Sequence, residues 1–321
     1  MPPYLLSLGP GLYRIDTAFQ RDDFDAAYLL VDEGRAAFID TGTNHAVPRL
    51  LGALSHLGLS PQAVDWVIPT HVHLDHAGGA GLLMQSLPRA RLLVHPRGLR
   101  HLVDPRALWA GALAVYGEEE MQRSYGQLQP VPAERAQASE DGQRLRVGGR
   151  ELLLIDTPGH ARHHHCLFDA QSACWFTGDT FGLSYREFDV QGRPWLFPTS
   201  TPVQFDPEAL KQSMQRMLDQ QPQGMLLTHF GRIGHSTDEV RQLHRQLLAL
   251  LDETVALSLA LRDADKRHEA LKQALTELYL RSLAAHGCPL PPERQRALLA
   301  MDIELNAQGI GVWLDKDKSA A

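Results

Sequence analysis

Four side chains able to bind a metal fall within six residues of Thr70-His71-Val72-His73-Leu74-Asp75-His76. They come directly after the apolar run 64–69. Three further candidate donors stand elsewhere: His160 in Asp156-Thr157-Pro158-Gly159-His160, Asp179 in Phe176-Thr177-Gly178-Asp179, and His229 in Leu226-Leu227-Thr228-His229. Each follows an apolar run of strand length, at 152–155, 174–176 and 225–227. Each therefore sits where a strand stops and a loop begins, the place where α/β folds collect functional groups. A single histidine or aspartate after a strand is ordinarily a cap or a satisfied loop residue. Four such places in one chain are a pattern that few architectures can accommodate.

Imidazole and carboxylate donors together suit zinc and other borderline divalent ions. In an extended or tightly turned segment His71 and His73 point the same way and Asp75 follows them. His76 breaks the alternation and can face a second point nearby. One hexapeptide can thus serve two adjacent metal positions.

The rest of the chain reads as alternating strands and helices, the pattern of a layered α/β fold. Strands are expected at 12–17, 26–31, 36–40, 64–69 and 91–94, with hairpins at 144–156 and 164–177 and a last strand before His229. Apolar residues recur at helical spacing over 44–57, and helices are also expected at 78–86 and 206–218. Residues 97–137 form a helical insertion that could cover a site or simply pack. From 237 onward the composition is helical, with apolar stripes through Val240–Val255 and Leu271–Leu283 and a third helix over 293–306. The expected domains are therefore a catalytic domain at 1–236 and a helical extension at 237–321.

The 321 residues carry a formal net charge of −7, which argues against a nucleic-acid binder. Three cysteines make an odd count with no metal-type pairing, as in a reducing cytoplasm. The start, Met1-Pro2-Pro3-Tyr4-Leu5-Leu6, has neither a basic stretch nor a long apolar core, so no signal peptide or membrane span is expected. A cytoplasmic protein that works without membrane or nucleic acid, on a small-molecule substrate, is the expectation.

The motif His-x-His-x-Asp-His at 71–76, followed in order by His160, Asp179 and His229, resembles the metallo-β-lactamase-fold hydrolase superfamily over roughly residues 10–235. Within it the chain looks most like the glyoxalase II-like and lactonase-like branch. The resemblance implies a four-layer αββα sandwich, here with a C-terminal helical extension. It implies two divalent metal ions, with zinc the first choice and iron or manganese acceptable to the same ligands. By that correspondence His71, His73 and His160 hold one ion, Asp75, His76 and His229 hold the other, and Asp179 bridges them. Asp40, in Phe38-Ile39-Asp40-Thr41-Gly42, matches a position that supports the metal loop. On its own it could equally cap the next helix. His164 matches a supporting histidine of the Pro-Gly-His turn. His163 stands where a small residue is common and is a candidate to contact substrate.

Such a site implies a metal-bridging hydroxide that attacks an ester, thioester or lactone, with Asp75 orienting the nucleophile and passing a proton to the leaving group. The loop after Asp179 departs from the glyoxalase II pattern, which places a basic, glycine-rich glutathione-binding element there. Tyr185 and Arg186 of that loop could hold a polar substrate instead. A mononuclear-iron sulfur dioxygenase keeps the same histidines, and a metal-containing ligand-binding protein with little turnover would keep the whole set. Both stand as alternatives. The C-terminal helices could cover the pocket, pack on the core or form a homodimer interface.

Overall fold

The structure is a computed structural model that describes residues 1–200 and 204–320. Its described residues form two mixed sheets. The first runs in chain order: β1 (Leu5–Gly9), β2 (Leu12–Asp16), β3 (Ala26–Asp32), β4 (Arg35–Ile39), β5 (Val64–Ile68), β6 (Arg91–Val94) and β7 (Ala136–Ala138). The second is ordered β13-β12-β11-β10-β9-β8, where β8 is Arg144–Val147, β9 Arg150–Asp156, β10 His165–Asp169, β11 Cys174–Gly178, β12 Gly224–Leu227 and β13 Gly231–Ile233. Consecutive strands β1 to β4 pair antiparallel, as do β8 to β11. The pairs β4–β5, β5–β6, β6–β7 and β11–β12 are parallel. Helices α1 (Val47–His56), α2 (Leu74–Ala77), α3 (Ala80–Ser86), α4 (Pro96–Val103), α5 (Arg106–Tyr116) and α6 (Glu118–Glu120) lie between strands of the first sheet.

The chain divides into two compact units that interleave along it. One comprises Met1–Asp156, His163–Gly178 and Pro222–Arg232. Here the two sheets share an apolar core: Leu12, Tyr28, Leu30, Ile39 and Leu93 meet Leu145, Leu152, Leu154, Leu167, Phe176 and Leu226. The other face of the first sheet packs Leu29, Phe38, Val67 and Leu92 with Leu50, Leu54, Leu83 and Met84 of α1 and α3. Covered on both sides, the central strands need apolar residues at every position. Ala-Ala-Tyr-Leu-Leu of β3 and Ala-Ala-Phe-Ile of β4 show this as unbroken buried runs.

Strand register decides where the loops begin. In the β4–β5 pair Ile39 lies opposite Ile68, so Asp40 and the 70–76 segment leave the sheet side by side. In the β11–β12 pair Gly178 lies opposite Leu227, which aligns the exit toward Thr228 and His229. The Tyr28 hydroxyl donates to the Leu227 carbonyl at 2.5 Å and ties β3 to that exit.

The second unit comprises Thr157–Arg162, Asp179–Gln221 and the chain from Ile233 onward. It contains α7 (Pro207–Leu218), α8 (Thr237–Ala260), α9 (Arg267–His286) and α10 (Pro292–Ala320). Asp206 caps α7 by accepting from the Ala209 amide at 3.0 Å, and Ser236 caps α8 through the Glu239 amide at 3.2 Å. The Glu239 carboxylate reaches back to accept from the His235 amide at 2.8 Å, one residue before the cap. Tyr185, Phe188, Trp195, Phe197 and Tyr279 form a packed aromatic group.

The sequence pattern does not predict strands β1, β7 and β13; they are short edge or end segments with little periodicity. The helix expected at 78–86 is α3, with the short α2 before it that the pattern does not predict, and the one expected at 293–306 begins at Pro292 and runs to Ala320. Ala321 lies outside the described residues. Among the described residues no helix is long and apolar enough to cross a membrane.

Candidate metal centre

The 70–76 segment is pinned before any ion is considered. The Thr70 amide and hydroxyl donate to Asp40 Oδ1 at 2.7 and 3.0 Å. The Thr70 carbonyl accepts from the His165 amide at 2.9 Å. His165 Nε2 donates to the Pro69 carbonyl at 2.9 Å, and the Ser139 hydroxyl donates to its Nδ1 at 2.8 Å. The backbone bends at Thr70 and His71, is extended at His73 and then turns into α2, so Asp75 and His76 are helical. The same-side placement expected of His71 and His73 is realised, with His71 Nε2 and His73 Nδ1 2.7 Å apart.

Asp75, His76 and His229 form a trio whose donor atoms lie within 4.8 Å of one another. The groups behind them fix the tautomers. His229 Nδ1 is 2.8 Å from the Phe24 carbonyl, which can only accept, so Nδ1 carries the hydrogen and neutral Nε2 presents a lone pair. His76 Nδ1 donates likewise to Asp40 Oδ2 at 2.9 Å. Both lone pairs then face the Asp75 carboxylate, at 3.2 Å from His229 and 3.8 Å from His76. Three acceptors converging on one point need a cation between them. Donors ~2.0–2.2 Å from a single tetrahedral ion lie about 3.4 Å from one another. The trio therefore fits a zinc-like divalent ion in donor type and spacing.

Asp40 is the hub behind this trio. It also accepts from the Thr228 hydroxyl at 2.7 Å, so one buried carboxylate holds Thr70, His76 and Thr228 together. Its backbone is left-handed, φ 56°, a conformation that aspartate tolerates better than most residues. The supporting function outweighs a helix cap, since the 310 turn that follows has no side-chain cap. His164 is fully buried, its ring stacked on His71 with centroids 4.7 Å apart. Gly178 makes room for this packing: a Cβ there would lie 2.5 Å from His164 Nε2 and 2.6 Å from Thr70 Oγ1.

In the second unit His160 Nε2 and Asp179 Oδ2 stand 3.3 Å apart, again the spacing of two donors on one ion. The turn that carries His160 is held by α7: the Asp206 amide donates to the Gly159 carbonyl at 2.8 Å, and the Ser213 hydroxyl to the Pro158 carbonyl at 2.7 Å. Tyr185 is fully buried and its hydroxyl is held by both carboxylate oxygens of Asp302 at 2.9 Å. Arg186 bonds Ser184 and pairs with Asp189 at 3.2 Å. These contacts engage the two side chains within their own unit.

His163 is 8% exposed, stacked 6.0 Å from His71 and edge-on 5.5 Å from His73. Its Nδ1 accepts from the Val72 amide at 3.4 Å, and burial pushes its pKa down to about 3, so it is a neutral ring with hydrogen on Nε2.

Several contributors do not stand out in the sequence. Thr70 and Thr228 each precede a candidate ligand histidine, and that repeated Thr-His pair is the signal that could find them. Asp25 is fully buried, accepts from Thr17 at 2.5 Å, and is pushed up to about 7 by burial above all, with the charge of Asp75 adding to the shift. Tyr116 and Tyr125 of the insertion come under the charge of Asp75 as well. Nothing in their spacing distinguishes them from core aromatics.

Two facing mixed sheets, flanking helices and donors at the strand exits define a metallo-β-lactamase-type αββα fold with a C-terminal helical extension. The profile of the Metallo-beta-lactamase superfamily matches residues 21–229, and the chain belongs to that superfamily. It is 26% identical over 210 residues to the metallo-beta-lactamase fold-containing protein ST1585 of Sulfurisphaera tokodaii, covering 64% of this chain and 72% of that protein. It is 31% identical over 152 residues to a hydroxyacylglutathione hydrolase of Salmonella paratyphi A, covering 47% of this chain and 45% of the relative. The chain thus spans less than half the length of that hydrolase. Among solved structures, the metallo-beta-lactamase family protein TTHA1429 of Thermus thermophilus aligns with a TM-score of 0.66 at 23% identity, over 97% of this chain and 95% of that one.

Proposed function

We propose that the chain is a binuclear metal-dependent hydrolase that cleaves an ester, thioester or lactone of a small molecule. The observation that carries this is the convergence of the Asp75 carboxylate with the Nε2 lone pairs of His76 and His229, each ring turned by a hydrogen bond from behind. Asp75, His76 and His229 would hold one ion and His71, His73 and His160 the other, with Asp179 shared, following the family's motif order. Two divalent ions, zinc first, supply an acidified water and draw charge off a carbonyl oxygen when bound. Asp75 orients the attacking oxygen and hands a proton to the leaving oxygen or sulfur as the carbon–heteroatom bond breaks. Asp40 and His164 hold the ligand rings in place, and His163 offers its Nε2–H to a substrate oxygen. The net charge of −7 supports a small-molecule substrate over a nucleic acid. We place the protein in the cytoplasm on the cysteine pattern, and the C-terminal helices are the surface for a homodimer.

The hydrolase relatives support the reaction class. The test is elemental analysis of protein purified without added metal, together with a panel of small esters, thioesters and lactones. About two ions per chain are expected, with hydrolysis of one substrate class and loss of at least ~10³-fold in Asp75→Ala. A single iron with oxygen uptake on a thiol or persulfide, and no hydrolysis, would overturn the proposal in favour of a dioxygenase. Full metal occupancy with no turnover on the panel or on thiols would replace it with a ligand-binding role.

A further inference from the structure

Asp179 opens a long loop that folds back on itself as a ribbon. The Gly182 amide donates to the Asp179 carbonyl at 3.1 Å and turns the chain. Gly182 has φ 72°, and a Cβ there would lie 2.6 Å from the Phe197 carbonyl oxygen and 2.9 Å from Leu247 Cδ1, so the turn favours glycine. Leu183 and Phe197 exchange both backbone hydrogen bonds, at 3.0 and 3.1 Å, and Val190 and Arg193 do the same at 3.0 Å near the tip. At the base, the Thr180 hydroxyl donates to the Thr157 carbonyl at 3.5 Å, three residues before His160.

Two side chains of α10 grip the two arms of this ribbon. Asp302 accepts from the Tyr185 hydroxyl, 2.9 Å from each carboxylate oxygen. Asn306 Oδ1 accepts from the Ser200 amide at 2.7 Å, and its Nδ2 donates to the Pro198 carbonyl at 3.2 Å and to the Tyr279 hydroxyl at 3.1 Å. A spacing of four residues puts both on one face of the helix. They are 8% and 2% exposed, and the rings of Tyr185, Phe197 and Tyr279 pack there at 5.5 and 5.6 Å. Apolar side chains alone could attach α10 to a loop. Directional bonds to a hydroxyl, an amide and a carbonyl also set its register, because breaking any of them strands a polar group away from water.

Resting on the binuclear hydrolase reading, we propose that Asp302 and Asn306 are positioning residues for the metal position of His160 and Asp179. Through the ribbon, α10 holds the Asp179 carboxylate at its 3.3 Å spacing from His160. α7 holds the His160 side of the pair through Asp206 and Ser213, and α10 holds the Asp179 side. The C-terminal extension thereby shares in retaining an ion.

The test is zinc competition with a chromophoric chelator on the full chain, read as the number of ions and the affinity of each step. Tyr185→Phe and Asn306→Leu cut the ties and should each weaken one of the two steps about tenfold, leaving the other unchanged. Asp302→Asn keeps an acceptor for the Tyr185 hydroxyl and should stay close to wild type. Leu271→Ala, at a fully buried position of α9 that makes none of these bonds, should lower the melting temperature without moving either step. In metal-free protein, amide exchange over 183–200 should quicken in the two cutting variants while exchange in α8 stays as in wild type. Two ions in wild type with neither step moved in those variants, or moved equally by Leu271→Ala, would overturn the positioning role and leave the binuclear reading standing. A single ion in wild type, weakened by the same two variants and not by Leu271→Ala, would keep the role and remove the binuclear reading. A single ion that no variant moves, or no ion, overturns both.

Discussion

The metal loop and the insertion hold their side chains in opposite ways. In the loop, Asp40, Thr70, His71, His76 and Thr228 are each at most 1% exposed and bonded to one another at 2.7–3.4 Å. In the insertion, α5 has no buried residue, and Val115 is 47% exposed. The loop is over-determined by strand register and a hub carboxylate. Within the insertion Leu102, Met121 and Val131 are buried, and α5 is the part that stays outside the core. The difference separates two requirements. Ligand atoms must be placed within tenths of an ångström and must not relax when the ion leaves. Groups that meet a substrate need only be close, and can vary without unfolding the sheet.

The sharpest way to break the comparison is at Asp40. Asp40→Asn keeps the shape but puts an amide opposite three donors, Thr70, Thr228 and His76 Nδ1. The His76 tautomer is no longer fixed, and its Nε2 lone pair is no longer assured. Metal affinity at the Asp75–His76–His229 position should fall about 10–100-fold. Folding stability should fall by about 2–4 kcal/mol, since buried donors lose a charged acceptor. Competition with a chromophoric chelator measures the first and urea unfolding the second. Unchanged affinity would mean that strand register alone positions His76.

How much of this was legible in the sequence follows the same division. The donors at 71–76, 160, 179 and 229 could be read because imidazole and carboxylate gathered so densely after apolar runs suit little besides a metal. Asp40 could be read by its place at a strand end. Asp25, Tyr116 and Tyr125 could not, because their relevance comes from folding that brings distant segments together. His229 approaches Asp75 across 154 residues, and its tautomer depends on the carbonyl of Phe24, which any residue would supply. For Tyr185 the sequence could not show that Asp302, 117 residues away, would accept from its hydroxyl.

A smaller effect tests the loop's other anchor. His165 donates to the Pro69 carbonyl, and burial above all, then the His95 charge, pushes its pKa down to about 4. A histidine held neutral contributes stability that is complete above its ordinary pKa near 6.5 and is lost as pH falls through about 4. Metal-free wild-type protein should therefore lose about 2 kcal/mol from this group between pH 7 and 4.5. His165→Gln can keep the donor to Pro69 but cannot take up a proton, so its stability should fall less steeply over that window. His163, lowered to about 3, retains its own share in both proteins. Equal slopes in thermal melts across the window would remove His165 from the account.

The smallest expected effect on stability falls in the insertion, and it separates packing from substrate contact. Val115 lies beside Tyr116 on α5 and is largely in solvent. Val115→Ser removes an exposed apolar group from a helix with no buried face, so the melting temperature should move by no more than ~0.5 kcal/mol equivalent. If α5 borders the substrate path, the same change should alter the relative kcat/KM of short and long acyl esters by a few-fold, because burying one methylene against a protein wall is worth roughly 1 kcal/mol. A loop residue of the 70–76 segment could not show that combination, since any change there disturbs a buried network. Selectivity that moves while stability and metal content stay fixed would assign recognition to the insertion and chemistry to the strand ends. Selectivity that does not move would remove α5 from the substrate path.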